Sequence, residues 1–129
     1  MAIRVVQLGS ARAPNEGPRF GTVRRPPRGV RKEEFAARDF YDLWLPDLAP
    51  TQELLSWAMG TPWTDDRWTS FARKYRREME RPESSRLIAA LALLSKQADF
   101  SVGCYCSDEA RCHRAVLKEL LIEAGADLR

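Results

Sequence analysis

A short stretch near the end of the chain gathers most of the side chains that could do chemistry. The stretch GCYCSDEARCHRAV, residues 103–116, holds all three cysteines of the chain and its only histidine. These residues are Cys104, Cys106, Cys112 and His113, and Arg114 follows directly. Thiols beside an imidazole and a cation suit a reactive cysteine at an anion pocket, a metal site, or a buried junction in which small thiols only pack.

The elements predicted around this cluster favour a thiolate and a bound anion. Residues 99–106, DFSVGCYC, are typical of a strand, which would place Cys104 and Cys106 on one face if it continues that far. A helix is predicted from about Glu109 or Cys112 to Glu123. Its first turn would expose unpaired N–H groups and the positive end of the helix dipole.

A thiol-dependent site follows from that placement. We expect Cys104 and Cys112 to act as catalytic thiols, because a cysteine in such surroundings ionises more easily than a free thiol. His113 would carry a proton or orient a substrate, although a histidine at the apolar edge of a helix is as often structural. Arg114 would bind an anionic group.

Two other chemistries use the same residues. Three thiolates and one imidazole, from Cys104, Cys106, Cys112 and His113, would complete a tetrahedral zinc site, although the spacing lacks the usual C-x2-C pair. In a thiol redox sensor, Cys104 or Cys106 would instead pair with Cys112 on oxidation.

A basic segment earlier in the chain offers a further alternative. Between residues 19 and 38 the cations are Arg19, Arg24, Arg25, Arg28, Arg31, Lys32 and Arg38, against Glu33 and Glu34. Such a block attracts phosphates or nucleic acid. With the basic face predicted for the second helix (Arg73, Lys74, Arg76 and Arg77), it supports a nucleic-acid-binding module as an alternative function.

The composition limits the class of protein. The chain has 129 residues, the usual length of a single domain, so we expect one domain over residues 1–129. Its net charge of +3 is small. No run approaches the roughly 20 apolar residues of a membrane span, and the apolar burst at the N-terminus is too short for a signal peptide. We therefore expect a cytoplasmic protein without a membrane partner, and the sequence names no cofactor.

The remaining pattern predicts an α/β fold. Ile3–Leu8 and Arg19–Val23 are typical of strands, and Phe40–Leu45 of extended chain. Helices are predicted from Thr51 to about Met59, from Thr64 or Asp65 to about Glu80, and from Pro82 onward. This order indicates a three-layer α/β sandwich with a small, mostly parallel sheet, in which ligands bind at the carboxyl ends of the strands.

Four motifs resemble those of a known family. They are PRGV (27–30), WLPDLAPTQEL (44–54), FARKYRREM (71–79) and CYCSDEARCHRAVLKELL (104–121). With them the chain resembles the YeaO-like family, domain of unknown function 488, of bacteria and archaea. The family's C-x7-C-H-R pattern matches Cys104, Cys112, His113 and Arg114. The resemblance implies a small single-domain, three-layer α/β fold of Rossmann-like character and brings no assigned reaction.

Two departures from the family pattern affect the site. Where the family often has V-D-R-L-W-P-R-G, this chain has TVRRPPRG, so Arg24 and Arg28 match while Val23 replaces the acid and Pro26 the tryptophan. Many members carry a glutamate two places after the first cysteine, where this chain has Cys106. If that acid is catalytic in the relatives, this protein would be inactive in the same chemistry or would use the Cys106 thiol instead.

The sequence therefore predicts binding of a phosphorylated or nucleotide-like small molecule at a Cys/His/Arg pocket beyond the last strand. Arg24, Arg28 and Arg114 are the expected anion ligands, and a thiol-dependent reaction is the expected chemistry.

Overall fold

The fold is built on a parallel sheet of four short strands, and the computed structural model describes all 129 residues. The strands are β1 (Ile3–Gln7), β2 (Arg19–Gly21), β3 (Leu43–Trp44) and β4 (Phe100–Cys104). Their order in the sheet is β1-β4-β2-β3, and every neighbouring pair is parallel. Since all strands run the same way, their carboxyl ends lie along one edge, and the loops that follow them meet there.

Four helices follow the predicted boundaries closely. They are α1 (Gln52–Met59), α2 (Asp65–Glu78), α3 (Pro82–Leu94) and α4 (His113–Glu123). The Thr51 and Thr64 hydroxyls accept hydrogen bonds from backbone N–H groups in the first turns of α1 and α2, as expected for N-caps. No helix combines the length and apolar character needed to cross a membrane.

The helices cover one face of the sheet. Phe100 and Val102 alternate along β4 and pack into a single core with Tyr75 of α2 and Leu117 of α4. On the opposite face the sheet is covered by loops, where Ser101 of β4 donates a hydrogen bond to Glu16 at 2.7 Å. The predicted α/β sandwich with a small parallel sheet is confirmed, and its second covering layer is made of loops.

The last strand is shorter than the sequence predicts. It ends at Cys104, because β1 ends at Gln7 and the Leu8 N–H makes the final bond to the Cys104 carbonyl. The segment that follows β1 then turns away from β4 at Gly9, whose φ of +92° belongs to the left-handed region that favours glycine. The expectation that Cys106 lies on this strand is therefore wrong, and Cys106 belongs to the loop before α4.

Candidate functional site

A cavity of about 580 Å³ opens at the carboxyl edge of the sheet, and we call it the edge pocket. One wall is the chain that follows β2, another is the chain that follows β4, and α1 closes a third side. Its cationic and titratable lining residues are Arg24, Arg25, Arg28, Cys104, Tyr105, Cys106 and His113. This is the position at which parallel α/β sheets generally bind ligands.

The three cysteines converge beside this pocket. Their sulfur atoms all lie within 4.8 Å of one another, and the Cys104 and Cys112 sulfurs are 2.6 Å apart. Cys104 ends β4 and Cys112 is the N-cap of α4, and their exposed fractions are only 1% and 3%. Cys106 is exposed. A dissolved molecule can therefore reach the Cys106 thiol first.

The same geometry decides which thiol ionises. The Cys104 and Cys112 thiols, whose sulfurs lie within 4.8 Å of the Cys106 sulfur, hold the pKa of Cys106 well below its usual range, and the positive charge of Arg114 lowers it further. The pKa of Cys104 is raised by the neighbouring Cys106, and the pKa of Cys112 by the neighbouring Cys104. Negative charge therefore concentrates on the exposed thiol, and not on Cys112 as the helix position suggested.

His113 is fixed in one tautomer by its neighbours. Its Nε2 lies 2.6 Å from the Thr22 carbonyl oxygen, so Nε2 carries the proton and donates it. Its Nδ1 faces the Cys112 sulfur at 3.8 Å, where it can accept a hydrogen bond from the thiol. Burial lowers the pKa of His113 to about 4. The imidazole is therefore neutral near pH 7, which favours an orienting role over that of a proton donor.

Arg114 is a buried cation without a carboxylate partner. Its exposed fraction is 4%, it forms no ion pair, and its Nε has no hydrogen-bond partner. One terminal nitrogen donates to the Cys106 carbonyl oxygen at 2.8 Å. A buried, uncompensated guanidinium is costly, and a thiolate on Cys106 supplies the missing countercharge. Arg114 thus lies behind the thiols and does not line the edge pocket.

Arg24 and Arg28, the other two expected anion ligands, differ in whether their guanidinium groups are already hydrogen-bonded within the chain. The Arg24 guanidinium donates to the carbonyl oxygens of Pro46, Ala49 and Pro50, at 3.0 to 3.3 Å, and is held in the pocket wall. Arg28 is exposed at the pocket rim and makes no hydrogen bond or ion pair within the chain. Arg28 is therefore the freer of the two cations to meet an anion.

The basic segment presents less charge than its sequence suggests. Arg19 is fully buried and forms an ion pair with buried Glu16 at 2.8 Å, so the expectation that it belongs to a surface block is wrong. Arg76 of α2 pairs with Glu119 and Glu123 of α4. These contacts remove two cations from the surface proposed for nucleic acid.

The three sulfurs are also the group that could hold a soft metal ion. A tetrahedral zinc ion with Zn–S bonds of about 2.3 Å would separate its sulfur ligands by about 3.8 Å. Cys104 and Cys112 are closer than that, and the Nε2 of His113 is bonded to Thr22, so a bound zinc ion would require the two buried sulfurs to separate and His113 to ligate through Nδ1.

Phe40, Tyr41 and Tyr105 have no signal in the sequence pattern that ties them to the site, and Arg25 was expected only as part of the basic segment. Arg25 lines the pocket, and its carbonyl accepts a hydrogen bond at 2.9 Å from the Tyr105 hydroxyl, which joins the two loops. The rings of Phe40 and Tyr105 meet edge to face, with centroids 6.3 Å apart. The buried Tyr41 hydroxyl has no partner and packs beside the thiols. Phe40 and Tyr41 were expected only as extended chain. Because they lie far from the cysteines in the sequence, no local pattern predicts that they pack beside the site.

Comparisons with known proteins show the family to which the chain belongs. Residues 3–125 match a family described as the active DUF488-N3 subclade. Uncharacterised proteins of Mycobacterium tuberculosis and Mycobacterium bovis are 29% identical to the chain over 119 residues, which cover 92% of it and 92% of each relative. No solved structure matches the chain significantly.

Proposed function

This chain belongs to the DUF488-N3 family, and we propose that it is a thiol-dependent enzyme that binds a small phosphorylated or nucleotide-like molecule in the edge pocket. One observation carries the proposal. The single exposed thiol, Cys106, lines a cationic pocket and is backed by two buried thiols and an unpaired buried arginine. The family description, which calls the subclade active, agrees with this proposal.

The shape and charge of the pocket support an anionic ligand of nucleotide size. Its volume of about 580 Å³ lies within the range of small-molecule sites. Arg25 and Arg28 place two exposed cations at the rim, and both can turn toward a phosphate. The Phe40 and Tyr105 rings add apolar wall against which a planar group could pack.

The thiols support a covalent step. The Cys106 thiolate would attack an electrophilic atom of the bound molecule, while the neighbouring Cys104 and Cys112 thiols favour its ionised form. His113 would orient Cys112 through its Nδ1. Cys106 thus takes the nucleophile's role that the sequence assigned to Cys104 and Cys112.

A reducing compartment would keep all three thiols free, as the proposed chemistry requires. We therefore propose that the protein works in the cytoplasm.

Calorimetric titration with AMP, inorganic phosphate and adenosine tests the binding. AMP should bind to the native protein, and adenosine more weakly because it lacks the phosphate. Arg28→Ala should weaken AMP binding about tenfold, since a hydrogen bond to a charged group contributes about 1.5 kcal/mol. Arg86→Ala removes an exposed arginine of α3 outside the pocket and serves as the matched control. Equal loss in both variants, or no binding of AMP and phosphate, would contradict the proposal.

Nucleic-acid binding remains a second candidate because of a separate groove. A cavity of about 550 Å³ between α1 and α2 is lined by Arg73, Lys74 and Arg77, which are exposed and form no ion pair. Binding of a single-stranded oligonucleotide should then weaken steeply with salt, and Arg77→Ala should reduce the slope. Salt-independent binding, or the same slope in Arg77→Ala, would exclude this groove.

A further inference from the structure

We propose that Cys106 is a site of oxidation by hydroperoxides, and that the two buried thiols behind it convert the oxidised cysteine into a Cys104–Cys112 disulfide. The inference uses the arrangement of the three sulfurs and does not depend on the anionic ligand. It assigns the three cysteines different roles. Exposed Cys106 reacts with the peroxide, and buried Cys104 and Cys112 form the final disulfide.

Access determines where the oxidant reacts. Cys106 is exposed and lines the edge pocket, whereas Cys112 is buried and absent from the pocket wall. Cys104 touches the pocket but has an exposed fraction of only 1%. Hydroperoxides react with thiolates that they can reach, so Cys106 is the first sulfur to be oxidised.

The chemistry proceeds in three balanced steps. The Cys106 thiolate attacks the terminal oxygen of the hydroperoxide ROOH, which forms Cys106 sulfenic acid and releases ROH after proton uptake. One buried thiol attacks the sulfenic sulfur, which forms a disulfide with Cys106 and releases water. The other buried thiol then attacks its buried neighbour's sulfur, and Cys106 leaves as a thiol. In total two buried thiols lose two electrons and two protons, and ROOH becomes ROH and water.

The position of the sulfurs makes the buried pair the final product. Cys104 and Cys112 have their sulfurs 2.6 Å apart, so a small movement brings them to the S–S bond length of about 2.05 Å. Each is held by regular structure, at the end of β4 and at the cap of α4. Cys106 lies in the loop between them, and its sulfur is within 4.8 Å of both. It can therefore form a disulfide with one buried cysteine and then be released as a thiol by the other.

Oxidation would also change the edge pocket. A Cys104–Cys112 disulfide has no S–H groups, so the two neighbouring thiols that hold the pKa of Cys106 down are lost. The remaining thiol keeps its place in the pocket but is less ionised. The disulfide would thus weaken the nucleophile without occupying its site.

Peroxide titration of the full-length reduced protein tests the inference. One equivalent of hydrogen peroxide should lower the intact mass by about two daltons, leave one alkylatable thiol, and give a Cys104–Cys112 cross-link in peptide mapping. Cys106→Ser should oxidise at least tenfold more slowly. Cys104→Ser should form a Cys106–Cys112 disulfide, because the final exchange is blocked, and thermal melts of each variant show whether it is folded.

Three results would overturn the inference. The first is an unchanged oxidation rate in folded Cys106→Ser, since the buried pair would then react with peroxide directly. The second is a native protein whose three thiols are masked by bound zinc, and the third is a native protein that accumulates only sulfinic acid at Cys106. A Cys106→Ala variant with the same slow oxidation as Cys106→Ser confirms that the thiol, and not a change of polarity, is responsible.

Discussion

Cys104 and Cys112 are eight residues apart in the chain, yet their sulfur atoms lie 2.6 Å from each other, at the junction of a strand end and a helix cap. The loop between them must leave the sheet and return within seven residues, which pushes Cys106 outward. The two buried thiols and the exposed one are therefore consequences of a single turn of the chain. Chemistry at the exposed thiol is coupled to the state of the buried pair.

Alkylation should identify Cys106 as the reactive thiol. Because its pKa is lowered, iodoacetamide should modify Cys106 at a nearly constant rate between about pH 9 and pH 6, where an ordinary thiol slows about tenfold per unit below pH 8.5. Peptide mapping after brief labelling measures this. Cys106→Ser should lose the fast phase, and fast labelling of Cys112 in the native protein would refute the assignment.

Arg114 should control the ionisation of Cys106. In Arg114→Met the buried positive charge is lost, so the pH below which Cys106 alkylation begins to slow, which lies under pH 6 in the native protein, should move upward by about one unit when the profile is extended into the acid range. The melting temperature should change little, because replacing an unpaired buried charge by an apolar side chain is often neutral. Arg111→Met, which removes the ion pair to exposed Asp65, is the matched control and should leave the profile unchanged. An unchanged profile in Arg114→Met would contradict the role.

His113 should stay neutral over most of the pH range in which the protein is folded. It is the only histidine, so one ring proton signal in the NMR spectrum reports its titration without ambiguity. With a folded pKa of about 4 against 6.5 in the unfolded chain, the unfolded state binds more protons between these values. Stability should therefore fall as the pH drops through that window. A titration midpoint near 6.5 in the folded protein would contradict the burial argument.

The buried ion pair between Glu16 and Arg19 should be a second reason why the protein loses stability at acid pH. Although burial pushes the pKa of Glu16 upward, hydrogen bonds from Arg19 and Ser101 outweigh it and hold the pKa at about 2. Because this folded value lies below 4.5, the stabilisation is present above pH 4.5 and is lost as the pH falls toward 2. Glu16→Gln should cost about 3 kcal/mol at pH 7 and flatten this dependence. Urea unfolding at several pH values measures both.

The close packing at the carboxyl end of β4 should tolerate no side chain at Gly103. An added Cβ would lie 2.6 Å from the Val6 carbonyl oxygen and 2.9 Å from a Leu8 methyl carbon. Gly103→Ala should therefore lower the free energy of unfolding by about 1–3 kcal/mol. Gly60→Ala, at the end of α1 with a φ of −77° and only an ordinary contact of 3.9 Å from an added Cβ to the Ser56 carbonyl oxygen, should be neutral. Equal effects in the two variants would show that the Gly103 contact is relaxed in solution.

Local signals were sufficient for most helices and for the parallel sheet. Thr51 and Thr64 were recognisable as N-caps because their hydroxyls act on N–H groups three residues away. The end of β4 was not recognisable, because it depends on where β1, almost a hundred residues earlier, stops offering hydrogen bonds. Arg19 was interpreted as a surface cation for the same reason, since its partners Glu16 and the Ser10 and Asp39 carbonyls meet only in the folded chain.

The sequence by itself placed three thiols, one imidazole and Arg114 at a strand–helix junction of a parallel α/β fold, since spacing within eleven residues constrains their positions. Only the tertiary structure decided which thiol is exposed, which arginines are already occupied and which stays unpaired. Burial and hydrogen-bond partners come from segments far apart in the chain, such as Thr22 beside His113 and Pro50 beside Arg24. The chemistry of each group depends on those partners, and so the assignment of roles required the fold.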